Sequence, residues 1–190
     1  MKNSIFIIAS IIASITIIAC NNGKTIQTAS TDSTDKTIVT TKNFQKPENP
    51  INELVNSYLL IKNSLVADDG KAAGSAAAAL KAAFEKTDKS SMTDKQKLAY
   101  ADIADDAKEM SEHIRLNPDK LDHQREHFEM LSQDMVDLVK IFGTTQTLYL
   151  QKCPMYNKGA AWLSETKKIK NPFMGLEMSS CGSLKEEFKP

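Results

Sequence analysis

The chain has 190 residues, 24 of them basic and 24 acidic, so its formal net charge at pH 7 is zero. A nucleic-acid-binding domain needs a clustered basic patch, and none is visible along the sequence, so we expect no nucleic acid as a partner. The length suits one domain of ordinary size.

Residues 1–20 have the layout of a secretory signal peptide. One lysine precedes an apolar run from Ile5 to Ala19, and Cys20 follows directly. The run has about 15 residues, fewer than the roughly 20 that span a bilayer. Its end, from Ile17 to Cys20, resembles the bacterial lipobox, in which the cysteine is lipidated. We therefore predict an exported lipoprotein, anchored through Cys20 to the outer membrane and facing the periplasm. The alternative is an ordinary secreted protein with an incidental cysteine.

Residues 21–49 are predicted to be a flexible tether. They are rich in Thr, Ser, Asn and Lys and have too few large apolar side chains to bury a core. Pro47 and Pro50 mark the end of the tether. The remaining residues, 50–190, are the predicted domain.

Three amphipathic helices are predicted first in this domain. In the first, apolar residues recur at spacings of three and four, the pattern of one buried helix face. These residues are Leu54, Tyr58, Ile61 and Leu65. The second helix, 71–86, is alanine-rich and has a high helix propensity. The third also presents one apolar face, formed by Tyr100, Ile103, Ala107, Met110 and Ile114.

A fourth helix is predicted to start at Asn117 and Pro118, with Asn as the N-cap and Pro at the first helical position. Gly143 is predicted to end it. Its apolar stripe consists of Leu121, Phe128, Leu131, Met135, Leu138 and Phe142. Four such helices joined by short loops predict an all-α fold, an up-down four-helix bundle.

Residues 144–190, here called the C-terminal segment, lack this periodicity. "TTQTLYLQ" suggests a short extended piece, turn-forming residues and aromatics follow, and "SLKEEFKP" suggests a short helix or tail. We predict an irregular segment packed on the bundle. Irregular segments of this length are usually functional.

Four sulfur-containing residues of the C-terminal segment are candidate metal ligands: Cys153, Met155, Met178 and Cys181. Thiolate and thioether are soft ligands that together select Cu(I) or Ag(I), whereas zinc has little use for methionine. The alternative is a disulfide between the two cysteines, with the methionines filling gaps in a core. It would close a loop of about 28 residues and contribute on the order of 3 kcal/mol. The residues alone leave both alternatives open.

The histidines are the second set of candidate ligands. His113 is predicted near the end of the third helix, beside Met110. His123 and His127 are four apart on the fourth helix and therefore lie one above the other, with His127 nearer the apolar stripe. All three should gather at one end of the bundle, where the C-terminal segment could complete a mixed Cys/Met/His site. The alternative is that they are ordinary polar residues at the flanks of the helices.

No catalytic constellation is visible. The carboxylates form no isolated pair for acid–base work, no Gly-rich phosphate loop is present, and Ser164 lacks a Gly-x-Ser-x-Gly setting. We therefore expect no enzyme. Arg125, which lies off the apolar stripe, is either a surface charge or the partner of an acidic residue that holds the C-terminal segment.

Four stretches in chain order resemble a known family: "HQREHFEMLSQDM", "LYLQKCPMYNKGAAWLSE", "IKNPFMGLEM" and "CGSLKEE". The family is an uncharacterised domain of bacterial lipoproteins. The domain is also found at the C-terminus of periplasmic adaptor subunits of copper/silver efflux pumps. The resemblance runs from about Leu54 to Glu187. It implies periplasmic handling of Cu(I) or Ag(I), with copper-efflux components as partners.

The resemblance also implies the site residues. The family's sulfur positions correspond to Cys153, Met155, Met178 and Cys181, and its helix-four histidines to His127 and His123. The sequence departs from the family at Tyr156, where a small residue is common, and at Met174, where an aromatic is usual. Met174 is therefore either an extra soft ligand or a simple replacement.

Two functions follow as hypotheses. The first is a lipoprotein that holds Cu(I) between the sulfurs of the C-terminal segment and the histidines, as a buffer, chaperone or efflux accessory. The second is an interaction module without metal, stapled by a disulfide between Cys153 and Cys181, which docks a partner through a bundle face or the region around Trp162. A redox or copper-dependent enzyme is the least supported hypothesis.

Overall fold

The computed structural model describes residues 49–190. The predicted signal peptide with Cys20, and the predicted tether as far as residue 48, lie outside the described residues. Seven elements follow in chain order: α1 (Asn52–Val66), α2 (Gly70–Lys86), α3 (Asp94–Leu116), α4 (Leu121–Phe142), β1 (Leu148–Cys153), β2 (Ala160–Ser164) and β3 (Ser183–Phe188). Within residues 49–190, no helix has both the length and the apolarity needed to cross a membrane.

The helices form where the apolar periodicity predicted them. The four residues of the predicted α1 face are fully buried. At the start of α2, the Asp69 side chain caps the helix by accepting a 2.9 Å hydrogen bond from the N–H of Ala72. Thr93 and Gln96 form a capping box at the start of α3. Gly143, at φ +71°, ends α4 as predicted.

The predicted start of α4 was wrong. Asn117 instead caps the end of α3, where its side-chain amide donates a 2.9 Å hydrogen bond to the carbonyl of His113. The last carbonyls of a helix have no partner within it, and this bond satisfies one of them. Pro118 lies in the turn, and α4 begins only at Leu121.

The C-terminal segment is a sheet, so the predicted all-α fold is incomplete. Its three strands pair antiparallel in the order β2–β1–β3. The extended piece predicted at "LYLQ" lies in β1. The closing "SLKEEF", predicted as a short helix or tail, is β3. Its side chains are mostly exposed, so β3 is held by pairing with β1 and not by an apolar face of its own.

The helices and the sheet share one hydrophobic core. Phe128 of α4 stacks on Tyr58 of α1 with ring centroids 5.1 Å apart, and its ring lies 5.7 Å from that of Phe173 in the C-terminal segment. Trp162 of β2 meets Phe173 edge-on at 5.8 Å. The Tyr58 hydroxyl also accepts a 3.2 Å hydrogen bond from the N–H of Leu163. The sheet therefore completes a core that the bundle would otherwise leave open.

Two buried cations tie the C-terminal segment to the helices. Arg125 of α4 pairs with Asp68 and donates a 3.0 Å hydrogen bond to the carbonyl of Pro172. Lys62 of α1 pairs with Glu165, just after β2, at 2.7 Å. Arg125 is therefore not a free surface charge. It pairs with an acidic residue and holds the C-terminal segment, the second of its two predicted roles.

Candidate metal centres

The side chains of His113, His123 and His127, here called the histidine cluster, meet across α3 and α4. One potential ligand atom from each lies within 4.8 Å of the other two. The rings of His113 and His127 stack with centroids 4.2 Å apart, and those of His123 and His127 lie 4.5 Å apart. These are the three histidines of the chain, and the fold brings all of them together.

Helix geometry accounts for the cluster. His123 and His127 are one turn apart on α4, and His113 lies in the last turn of α3. A short turn joins the two helices, so the end of α3 lies beside the start of α4. The predicted gathering of the histidines at this end of the bundle is confirmed, and metal binding by them remains a prediction.

A methionine sulfur adjoins the cluster. Met110 Sδ lies 3.2 Å from Nδ1 of His127. If the ring proton of His127 is on Nδ1, this nitrogen donates to the sulfur, and the lone pair of Nε2 is free to bind a metal. If the proton is on Nε2, the lone pairs of Nδ1 and of the sulfur are both free and lie close enough to bind the same ion. Met110 was not among the predicted ligands. The available signal was its place one turn before His113 on the same helix.

The surroundings of His127 favour its neutral imidazole. Burial lowers the pKa of His127, and positive charge on His113 or His123 lowers it further. Glu109 approaches His113 at 3.9 Å, and Glu126 approaches His123 at 3.7 Å. A metal binds the unprotonated nitrogen, and nearby carboxylates offset the charge of a bound cation.

The donor set of the cluster suits a transition metal. Imidazole binds zinc, copper and related ions, with bonds of about 2.0–2.1 Å that bring the nitrogens to roughly 3.4 Å from one another. The nitrogens now lie within 4.8 Å of one another, so a bound metal would draw them closer together. The side chains of His113 and His123 are 43 % and 36 % exposed, so ions in solution have access.

Cys153 and Cys181, here called the thiol pair, form the second candidate centre. Both are free cysteines, and their sulfurs lie 3.1 Å apart. The sheet brings the two cysteines together. Lys152, which precedes Cys153 in β1, pairs with Ser183 of β3, which lies two residues after Cys181. Cys153 is fully buried and Cys181 half-buried.

Hydrogen bonds converge on the buried thiol. Burial raises the pKa of Cys153, but hydrogen bonds from Cys181 and from the backbone N–H groups of Met155 and Tyr156 outweigh it, with a further one from Asn171. The pKa of the Cys153 thiol is therefore lowered. The hydrogen bond to Cys153, together with some burial, raises the pKa of Cys181. The two shifts are opposite in direction, so Cys153 loses its proton more easily than Cys181 does.

Asn171 organises the chain around the thiol pair and was missed from the sequence. Its side-chain amide donates a 2.7 Å hydrogen bond to the carbonyl of Cys181, and its Oδ1 accepts one of 2.8 Å from the N–H of Phe173. The "NPFMG" stretch therefore holds Cys181 against the end of β1. The signal was the Asn-Pro pair, because Asn side chains commonly bond to the backbone two residues on.

The predicted ligands do not form one mixed site. Among residues 49–190, the histidine cluster is the group of three or more His, Cys, Asp or Glu side chains placed to share a metal, and neither cysteine belongs to it. The hairpin after Cys153 contacts Glu129, through Asn157 at 2.7 Å. Glu129 and His127 are two residues apart on α4 and point about 200° apart. The structure therefore separates the thiols from the histidines.

The predicted thioether ligands lie at the surface or in the core. Met155 is 62 % exposed, Met178 is also exposed, and Met174 packs against the hydrophobic core. The backbone of Met155 contacts Cys153 through its N–H.

The fold and these two centres define a helical-bundle domain that carries a small antiparallel sheet and two groups of potential metal ligands. A profile of the family described as "Protein of unknown function (DUF3347)" matches residues 54–147. The matched residues include the whole histidine cluster and end just before β1. No curated protein and no solved structure matches the chain.

Proposed function

We propose that the protein is an exported lipoprotein, anchored through Cys20, that binds Cu(I) for periplasmic copper handling or efflux support. Ag(I) is the second candidate ion. The observation that carries this proposal is the histidine cluster, with three ligand atoms within 4.8 Å of one another. The lipid anchor and the copper-efflux partners are supported by the resemblances of the sequence alone. No enzymatic turnover is required.

The choice of copper rests on the sulfur beside the imidazoles. Imidazole alone suits several ions, whereas a thioether selects Cu(I) among them. Met110 Sδ at 3.2 Å from His127 adds such a ligand. The half exposure of His113 and His123 suits an ion that is taken up and passed on, as in a buffer, chaperone or efflux accessory.

The test is an anaerobic Cu(I) titration of the full chain against a chromophoric chelator, with Cys20→Ser, Cys153→Ser and Cys181→Ser introduced to remove all three thiols. We expect one Cu(I) per chain. His127→Gln should weaken binding by at least about tenfold, because it removes a ligand from the centre. Glu129→Gln, on another face of α4, is the matched control and should leave binding unchanged. Equal, weak binding by all three proteins would overturn the proposal.

The disulfide-stapled interaction module remains the second candidate function. The observation in its favour is the 3.1 Å separation of Cys153 and Cys181, 28 residues apart in the chain. Closing that loop stabilises the fold by on the order of 3 kcal/mol. If the intact mass of protein exported by cells is lower by two hydrogens than that of the reduced chain, and neither form takes up Cu(I), this function replaces metal binding.

A further inference from the structure

We propose that Cys153 and Cys181 form a second metal site, separate from the histidine cluster, in which one soft monovalent ion, Cu(I) or Ag(I), lies between two thiolates. The observation behind it is the thiol pair itself, two free sulfurs 3.1 Å apart that the sheet holds together. The site shares its class of metal with the proposed function but uses none of the same residues. Either site can therefore fail without the other.

The fold holds the two sulfurs face to face. Lys152, next to Cys153, pairs with Ser183, two residues from Cys181. The Asn171 side-chain amide donates a 2.7 Å hydrogen bond to the carbonyl of Cys181 and fixes that residue against the end of β1. Contacts that orient a ligand before the ion arrives favour metal binding, so the pair needs little rearrangement of the chain to receive an ion.

Burial of Cys153 distinguishes a metal ligand from a reactive nucleophile. Its side chain is fully buried, whereas reactive cysteines are partly exposed. A bulky electrophile or a protein disulfide cannot approach its sulfur. A bare ion can arrive at the half-buried Cys181 and bridge to the sulfur beneath it.

The number of ligands selects the ion. Within residues 49–190, no group of three or more His, Cys, Asp or Glu side chains includes either cysteine. Structural zinc needs four ligands, whereas soft thiolates suit Cu(I) and its heavier analogue Ag(I), which two sulfurs can hold. Two bonds of about 2.3 Å place the sulfurs up to roughly 4.6 Å apart, so the Cys181 side chain must swing outward from its present 3.1 Å contact.

The binding step is balanced without any change of oxidation state. The two thiols together bind one monovalent cation and release both of their protons to solvent. The product is a metal bis-thiolate with a net charge of −1. No oxidant or reductant takes part, and the site is lost if an oxidant first converts the thiol pair to a disulfide.

Native mass spectrometry of the reduced full chain, kept anaerobic and titrated with silver nitrate, tests the proposal. Excess free methionine in the buffer competes with the exposed thioethers. To remove the third thiol, every protein in the series carries Cys20→Ser. We expect two Ag(I) per chain with no further change and one per chain of Cys181→Ser. A variant with all three histidines changed to glutamine should also bind one. Ser179→Ala, an exposed neighbour of the pair, is the matched control and should bind two.

The variants separate the two sites. Cys181→Ser changes a half-buried side chain, and circular dichroism checks that its helices are retained; Cys153→Ser provides the second test at the buried position. An unchanged Ag(I) count in both cysteine variants would overturn the second site. If the histidine variant matches the chain with Cys20→Ser alone while the cysteine variants each lose one ion, the thiol site stands and the proposed histidine site fails.

Discussion

The histidine cluster and the thiol pair differ in the part of the chain that assembles them. The cluster uses two consecutive helices joined by a short turn, so its three ligands lie within 15 residues of sequence, 113–127. The thiol pair joins residues 28 apart, through a sheet whose outer strand β3 has few buried side chains. Local helix geometry is enough for the first centre, whereas the second exists only when the C-terminal segment folds onto the helices.

The two centres also differ in their relation to solvent. The histidines are half-exposed on the surface of α3 and α4, while Cys153 is fully buried at the end of β1. If both proposed sites bind metal, the half-exposed imidazoles should exchange their ion more readily than the thiol pair, which has one buried ligand. Two sites of different strength on one chain would suit uptake at one and retention at the other.

Glu165→Gln should have the largest effect, because it breaks the joint between the helices and the C-terminal segment. The buried Lys62 side chain is 0 % exposed and its partner Glu165 is 32 % exposed, 2.7 Å away. Burial lowers the pKa of Lys62, and Glu165 opposes that shift. Removing one partner of a buried ion pair costs about 3 kcal/mol or more. We expect a loss of this size in the free energy of unfolding, measured by urea denaturation.

Glu112→Gln is the matched control for this variant. Glu112 pairs with two cations, Lys81 at 3.2 Å and Arg115 at 2.6 Å, but it does so at the surface of the helices. Surface pairs contribute little, so this variant should be much less destabilised than Glu165→Gln. Similar losses in both would mean that the buried pair does not join the two regions.

The helices were predictable because their signal is local. Leu54, Tyr58, Ile61 and Leu65 repeat at the helical period, and all four are buried. The sheet was not predictable in the same way. The charged "SLKEEF" has no apolar alternation, and it becomes β3 only because β1, some 30 residues earlier, offers backbone partners. The start of α4 was misplaced because Asn can cap either end of a helix, and the choice here depends on the carbonyl of His113.

The candidate ligands were predictable as residues but not as a constellation. Histidine spacing and the short α3–α4 turn placed the cluster at one end of the bundle. Tertiary contacts of Arg125 and Glu129 determine which face of α4 the C-terminal segment covers. These contacts place the thiols away from His127. The role of Asn171 likewise depends on contacts with Cys181 that no periodic pattern encodes.

Asp134→Asn should have a smaller, pH-dependent effect confined to the helical region. Burial raises the pKa of Asp134 to about 6, and the charges of Asp106 and Asp137 raise it further. In the unfolded chain an aspartate titrates near pH 4. Between about pH 4 and pH 6, Asp134 is therefore protonated in the folded chain and ionised in the unfolded chain. The stability that this protonation contributes is complete below the window and is lost as the pH rises through 6.

Asparagine is neutral throughout, so Asp134→Asn should melt about 2 °C above wild type at pH 7, after allowance for solvent screening of a half-exposed group. At pH 4 the two should melt together. Asp102→Asn, at an exposed position of α3, is the control and should show no such difference between the two pH values. A shift of equal size at pH 4 and pH 7 would contradict a role for the ionised carboxylate and point to packing instead.

Met155→Leu should have the smallest effect and sharpens the description of the thiol site. Met155 is 62 % exposed, and its contact with Cys153 is made by the backbone N–H, which leucine keeps. Silver binding by the thiol pair, measured by competition with a chelator in the triple-histidine variant, should therefore stay within about twofold of the parent. A drop of tenfold, equivalent to about 1.4 kcal/mol, would make the thioether a third ligand. The thiol site would then extend into the exposed turn and would resemble the histidine cluster in its access to solvent.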